Sequence, residues 1–342
     1  MMQSMNFGAT GCSVSVLGFG GIPIVRLSAD EADRVLKRAY DLGITFYDTA
    51  NAYRDSEEKM GRALSPMRDK VFIATKTRER SAAGAAQHID LSLRQLRTDY
   101  IDLYQFHQVV QDVEWEALAA PGGAMEAVAA ARDAGKIRFI GITTHNLEMA
   151  EQFVRAGLFD SIQYPFNFIE DEAATRLHPL AKERSMGILA MKPFAGGAIT
   201  DAALAFKFLR AHDGVLPIPG FDSVASVEQI VGLYEKANTV TDDDRHAMKV
   251  IAEDLGQAFC RRCEYCQPCP QGVAITMGMT YPLIASRYSP DIAAESFASA
   301  MDTLTRCVAC GLCETRCPYQ LPIRRMLADH HRVYTGHRGT KG

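Results

Sequence analysis

The stretch SADEADRVLKRAYDLGITFYD, residues 28–48, decides the fold. Ser28 is a residue type that caps helix N-termini. After it, Val35, Leu36, Ala39 and Leu42 recur at helical spacing, and Gly43 stops the run. Residues 44–48 are then β-branched and aromatic up to Asp48, as in a strand. Helix followed by strand is one turn of a repeating unit. Strands are predicted at 71–76, 101–107 and 137–143, with helices near 84–96, 124–134 and 147–156. Residues 161–164, 187–192 and 215–218 add three short strands, each followed by a helical run. With 16–19 opening the series, the count is eight.

Strands alternating with helices imply a parallel sheet with helical crossovers. Eight units in about 240 residues match a closed (β/α)₈ TIM barrel, in an α/β chain. The alternative is an open doubly wound sheet. It normally carries a dinucleotide glycine fingerprint, and Gly18-Phe19-Gly20-Gly21 lacks both that spacing and a helix directly after it. A polar helix at 241–257 follows the last unit. The expected domains are therefore 1–257 for the barrel and 258–342 for a smaller second domain.

Composition narrows the function classes. The chain has 342 residues, 47% of them hydrophobic and 23% charged, with net charge −4. That is a globular balance, with no bulk attraction to nucleic acid or anionic lipid. No apolar run reaches the roughly 18–20 residues that span a bilayer. Residues 1–6 lack a basic segment followed by an apolar one, so the expected location is cytoplasmic.

Barrel enzymes place catalytic groups where strands end. Here those ends supply Asp48, Lys76 and His107, with Tyr53 in the loop after Asp48. Together they suit carbonyl reduction. Hydride arriving at carbon leaves charge on oxygen, and a proton must be supplied. A phenol, with pKa near 10, is a weak acid–base at neutral pH until a nearby ammonium favours the phenolate. Lys76 is the expected ammonium, Asp48 its partner, and His107 the donor that orients the substrate oxygen. Taken singly, each residue has a plainer role: helix cap, packing ring, solvated amine or core-edge imidazole.

The stretches 18–21, Tyr47-Asp48-Thr49-Ala50-Asn51-Ala52-Tyr53, Ser56-Glu57, Thr75-Lys76-Thr77, 98–107 and Ile140-Gly141-Ile142-Thr143 resemble the aldo-keto reductases. The resemblance spans about residues 5–237. It implies a catalytic tetrad of Asp48, Tyr53, Lys76 and His107, and a nicotinamide dinucleotide, NAD(P)H, bound without a Rossmann domain. It places cofactor contacts at Gly20, Gly21 and Asp48. Thr143, Thr144 and Gln163 fall at the carboxamide, and Lys192, Pro193, Phe194 and Gly196 at the pyrophosphate. Gly220, Asp222, Glu228 and Gln229 fall at the adenosine end. Thr144 and Met191 depart from the family pattern, and Asp222 stands where NADP-using relatives carry Lys or Arg. The family habit favours NADP, whereas no Lys or Arg occurs from 216 to 234 and the residues of this chain favour NAD, unless Lys192 or Lys236 reaches across. The substrate is expected to be a small carbonyl or alcohol, with Trp115 in the 108–123 loop as part of its wall.

Eight of the nine cysteines fall between 260 and 317. Cys307-x₂-Cys310-x₂-Cys313-x₃-Cys317-Pro318 is the bacterial ferredoxin run, and Cys260-x₂-Cys263-x₂-Cys266-x₂-Cys269-Pro270 is the same with one residue fewer. The fourth cysteine of each run crosses to the other cluster in two-cluster ferredoxins. Cys260, Cys263, Cys266 and Cys317 are therefore expected on one [4Fe-4S] cluster, and Cys307, Cys310, Cys313 and Cys269 on a second. Structural zinc, which favours separated cysteine pairs, is the alternative. The helical run at 290–306 between the motifs points to a mainly α-helical ferredoxin-like domain. From Arg324 onward five Lys or Arg face one acid, Asp329. Such a tail is ordinarily solvated, and it would also suit an acidic ferredoxin- or flavodoxin-like electron carrier. The whole chain resembles the aldo-keto reductases that carry a C-terminal iron–sulfur domain. Two other readings remain: a non-catalytic electron-transfer scaffold, and a plain reductase whose clusters are structural.

Overall fold

The computed structural model describes residues 2–256 and 259–339. The expected domain boundary, between 257 and 258, lies outside them. The chain divides into two compact units near Arg245.

The first unit is a barrel. β1 (Ser4–Asn6) and β2 (Ser13–Ser15) form an antiparallel hairpin. The barrel strands are β3 (Gly18–Gly20), β4 (Phe46–Asp48), β5 (Phe72–Thr77), β6 (Ile101–Phe106), β7 (Ile137–Thr143), β8 (Ser161–Pro165), β9 (Gly187–Met191) and β10 (Val215–Pro217). They pair in sequence order, all parallel, and a bridge between Gly20 and Gly220 joins the first to the last. The eight-strand expectation holds, with ends shifted by a residue or two.

The helix opening the repeat is α1 (Ala29–Asp41). Its capping box is complete: Ser28 Oγ accepts from Glu31 N at 3.3 Å, and Glu31 Oε2 accepts from Ser28 N at 2.8 Å. Gly43 leaves it at φ +90°, a backbone state glycine adopts cheaply.

The hairpin, which the periodicity did not reveal, explains the barrel interior. Phe7 lies between its strands, fully buried, with its ring 5.3 Å from Phe46 and 5.5 Å from Phe72. With Val14, Ala74, Leu103, Leu189, Leu216 and Ile218 these rings form one apolar layer. Gly187 is required there, because a Cβ would stand 2.4 Å from the Phe7 ring.

The second unit is helical. Its main elements are α2 (Ile275–Tyr288), α3 (Pro290–Ser296) and α4 (Ile323–Gly339). Its core joins Val273, Met279, Tyr281, Met301, Leu304, Leu327 and Tyr334, with cysteines packed at the edge. One expectation changes here. The run 290–306 is not one helix: it breaks at Phe297, where φ −111° and ψ 12° end the first piece. The basic tail up to residue 339 forms the helix α4, with Ile323, Leu327 and Tyr334 buried on one side and Arg324, Arg325, Arg332 and Arg338 exposed.

Candidate functional site

Consecutive barrel strands set the tetrad. The β4–β5 register pairs Asp48 with Ala74, and the β5–β6 register pairs Lys76 with Gln105. In strands, every second side chain shares a face, so Gln105 and His107 point the same way. Lys76 Nζ donates to Asp48 Oδ2 and to Thr49 O, each at 2.6 Å. Both charged side chains are almost fully buried. Burial pushes the Asp48 carboxyl up and the Lys76 ammonium down, and their pairing opposes both shifts. Lys76 Nζ lies 5.1 Å from the centre of the half-buried Tyr53 ring. The His107 ring meets Tyr53 edge-on at 5.5 Å. Burial holds His107 well below its ordinary pKa, with Lys76, Arg78 and Arg80 adding to the effect. It is therefore neutral at pH 7, and its buried Nδ1 has no hydrogen-bond partner among the described residues. All four expected tetrad residues come together.

Two neighbours were not singled out from sequence. Gln105 Nε2 donates to Asp48 Oδ1 at 3.2 Å, so both carboxylate oxygens are held. Alternation with His107 along β6 was the available signal. Buried Glu57 accepts from Thr75 Oγ1 at 2.6 Å, and burial raises its carboxyl.

The expected cofactor residues line the same strand ends. Gly20 N donates to Pro219 O at 2.7 Å, and Gly21 N to Asp48 O at 2.8 Å. Thr143 Oγ1 accepts from Gln108 N, and Thr144 Oγ1 from Asn146 N. Gln163 is buried beside Asp48, and its Oε1 has no hydrogen-bond partner among the described residues. A buried amide oxygen left open suits a carboxamide N–H. After β9, Lys192 turns to φ +56°, Pro193 follows buried, and Gly196 sits at φ +76°. The Phe194 ring lies 5.8 Å from Phe206. Gly220 and Asp222 follow β10, and the helix Val224–Tyr234 carries Glu228 and exposed Gln229.

Two cations that sequence did not place there reach this end. Arg26 pairs with Asp222 and Arg38 with Glu228, each at 2.7 Å. Trp115 is not in a plain loop: it sits on a helix, Asp112–Ala119, with its ring against Phe153 and Phe159.

In the second unit the cysteines fall into two mixed sets. Burial raises Cys263 to about 11 and Cys266 to about 12, and Cys260 and Cys317 add to both shifts. Cys317 thus stands with the first motif. Cys269 lines one cavity with Cys307, Cys310 and Cys313, beside Cys266. Four sulfurs on one zinc, at Zn–S about 2.3 Å, would lie within about 4 Å of each other. Among the described residues no three His, Cys, Asp or Glu side chains are close enough to share one metal ion. Two groups of three consecutive-motif thiols plus one crossing thiol are the donor set that cubane clusters take.

Comparisons with known proteins agree with both units. The model of the aldo/keto reductase family matches residues 16–205, and that of a 4Fe-4S dicluster domain matches residues 259–322. The chain is 32% identical to the aldo-keto reductase YhdN of Bacillus subtilis, over 67% of this chain and 75% of that one. It is 29% identical to the methylglyoxal reductase YeaE of Escherichia coli, over 58% and 78%. An aldo-keto reductase from Bacillus halodurans, solved in its holo form, superposes with TM-score 0.63 at 25% identity, over 73% and 96%. The chain therefore belongs to the aldo/keto reductase family, as an oxidoreductase whose barrel is followed by a 4Fe-4S dicluster domain.

Proposed function

We propose that Asp48, Tyr53, Lys76 and His107 catalyse hydride exchange between a nicotinamide dinucleotide and a small carbonyl or alcohol. In the same reading, the eight cysteines hold two [4Fe-4S] clusters for single-electron transfer. The observation that carries the first part is Lys76, clamped by Asp48 at 2.6 Å, with its ammonium 5.1 Å from the Tyr53 ring. The bound dinucleotide supplies or accepts the hydride. Tyr53 Oη gives its proton to the carbonyl oxygen, so C=O becomes CH–OH, and takes one back in the oxidative direction. Lys76 eases that proton loss by favouring the phenolate. Asp48 keeps Lys76 charged inside the barrel. Neutral His107 donates a hydrogen bond to the same oxygen and fixes its approach. Thr143, Thr144 and Gln163 would hold the carboxamide, and Lys192, Pro193, Phe194 and Gly196 the pyrophosphate. Gly20, Gly21, Gly220, Asp222, Glu228 and Gln229 would line the rest.

Cys260, Cys263, Cys266 and Cys317 would hold one cluster, and Cys307, Cys310, Cys313 and Cys269 the other. Such clusters supply one-electron chemistry when bound. Cys307 and Cys310 are exposed, as are Val308 at 64% and Leu312 at 36%, among the exposed Arg306, Arg316 and Arg325. Exposed apolar and basic residues along this stretch of chain suit an acidic ferredoxin- or flavodoxin-like carrier. Thiolate ligands of this kind persist in a reducing cytoplasm. No helix among the described residues is long and apolar enough to cross a membrane.

Replacing Tyr53 tests the catalytic part. Tyr53→Phe should lower turnover by roughly 10²–10⁴-fold while dinucleotide affinity stays the same. Unchanged turnover would remove Tyr53 from the mechanism.

A further inference from the structure

The segments after the first and last barrel strands are tied by two cation–carboxylate pairs. Arg26 Nη2 donates to Asp222 Oδ2 at 2.7 Å. Arg38 Nε donates to Glu228 Oε1 at 2.8 Å. Arg26 ends the short 3₁₀ helix Pro23–Arg26 after β3, and Asp222 lies just beyond β10. The Gly20–Gly220 bridge sets these segments side by side at the barrel mouth. The Arg26 and Asp222 side chains are 33% and 49% exposed, so an incoming ligand can reach them.

The geometry points to the Arg26–Asp222 pair, acting as a unit, as the device that selects between dinucleotides with and without a 2′-phosphate. The inference rests on the proposed adenosine end at Gly220, Asp222 and Glu228. A ribose 2′-hydroxyl donates a hydrogen bond to a carboxylate, as the acidic residue of NAD sites accepts one. Asp222 can accept it with Oδ1 while Oδ2 keeps Arg26, so every partner stays satisfied. A 2′-phosphate instead needs the guanidinium. Arg26 must then turn away from Asp222, and a bare carboxylate is left beside a multiply charged anion. Arg26 is thus a phosphate ligand held in reserve, and Asp222 is what restrains it. Asp222 considered alone would only repel phosphate. The pair makes a different demand: removing the carboxylate charge helps NADPH chiefly through the arginine it releases.

A double-mutant cycle separates the two accounts. Dissociation constants for NADH and NADPH are measured calorimetrically on the full-length, anaerobically prepared protein, with Asp222→Asn, Arg26→Gln and both together. The native protein should bind NADH more than about tenfold tighter. Asp222→Asn should tighten NADPH by more than about tenfold and move NADH by less than about threefold. In the Arg26→Gln background the same change should gain NADPH less than about threefold. An equal gain in both backgrounds would show that Asp222 only repels, and would overturn the pair. Two dinucleotides that bind but ignore both substitutions would do the same while leaving the proposed activity intact. Native protein that binds neither dinucleotide would instead bring down the proposed activity, and this inference with it.

Discussion

Asp48, Tyr53, Lys76 and His107 come from three strands and a loop, and they meet only because those strands are neighbours in a closed sheet. The cysteines of the second unit sit in two short runs that announce themselves before any folding is considered. Even there the runs come together, since Cys317 acts on Cys263 and Cys266 of the first motif, and Cys266 and Cys269 line a cavity with Cys307, Cys310 and Cys313. The barrel site is a product of its core, so it is vulnerable to packing. The cysteine sites are products of their ligands, so they are vulnerable to the loss of single thiols.

The sharpest break is Cys317→Ser. If the runs exchange ligands, iron should fall from about eight to about four per chain. The lost spectral signal should belong to the first motif's cluster, and dinucleotide binding in the barrel should persist. Loss confined to the second motif's cluster would show that each run serves itself.

Phe7→Ala probes the dependence of the barrel on its core. Truncating a fully buried phenylalanine costs about 3–5 kcal/mol, readable in urea unfolding followed by Trp115 fluorescence. A loss below about 1 kcal/mol would mean that the hairpin is not part of that core.

A smaller effect concerns pH. Burial lowers His178 to about 3, with His212 and Lys182 adding to the shift. A folded pKa below the unfolded 6.5 means that the unfolded chain takes the proton first as pH falls. The contribution of His178 is therefore complete above pH 6.5 and lost progressively toward pH 3, amounting to about 2 kcal/mol by pH 5. His178→Gln should flatten the stability difference between pH 7.5 and pH 5 by about that amount. An unaltered difference would place the pH sensitivity elsewhere.

Gln105→Leu should have the smallest effect. It takes one donor from Asp48 and leaves Lys76 in place, so kcat should drop by less than about tenfold. The acidic limb of the pH–rate profile should move upward, because the carboxylate loses a stabilising hydrogen bond. A kcat and pH profile that stay native in Gln105→Leu would show that Asp48 does not depend on this donor.

Much of this was legible in the sequence for physical reasons. Strand and helix periods differ, so the eight βα units stand out, and strand ends mark where chemistry collects. Cysteine spacing is local, so it reads directly. The hairpin was hidden because three-residue strands are too short to show a period. The helix Ile323–Gly339 was hidden because its buried Ile323, Leu327 and Tyr334 are thinly spread among basic residues. Arg26 and Arg38 gave no signal because their partners lie 196 and 190 residues away. Pairs at that separation become visible only once the barrel closes.

In the proposed function one chain joins a hydride-transfer barrel to two clusters held by eight cysteines, of which Cys269 and Cys317 cross. Iron and acid-labile sulfide analysis of the anaerobically prepared native chain tests it most directly. The expected result is about eight irons and about eight sulfides per chain. About four of each, or zinc without iron, would contradict it.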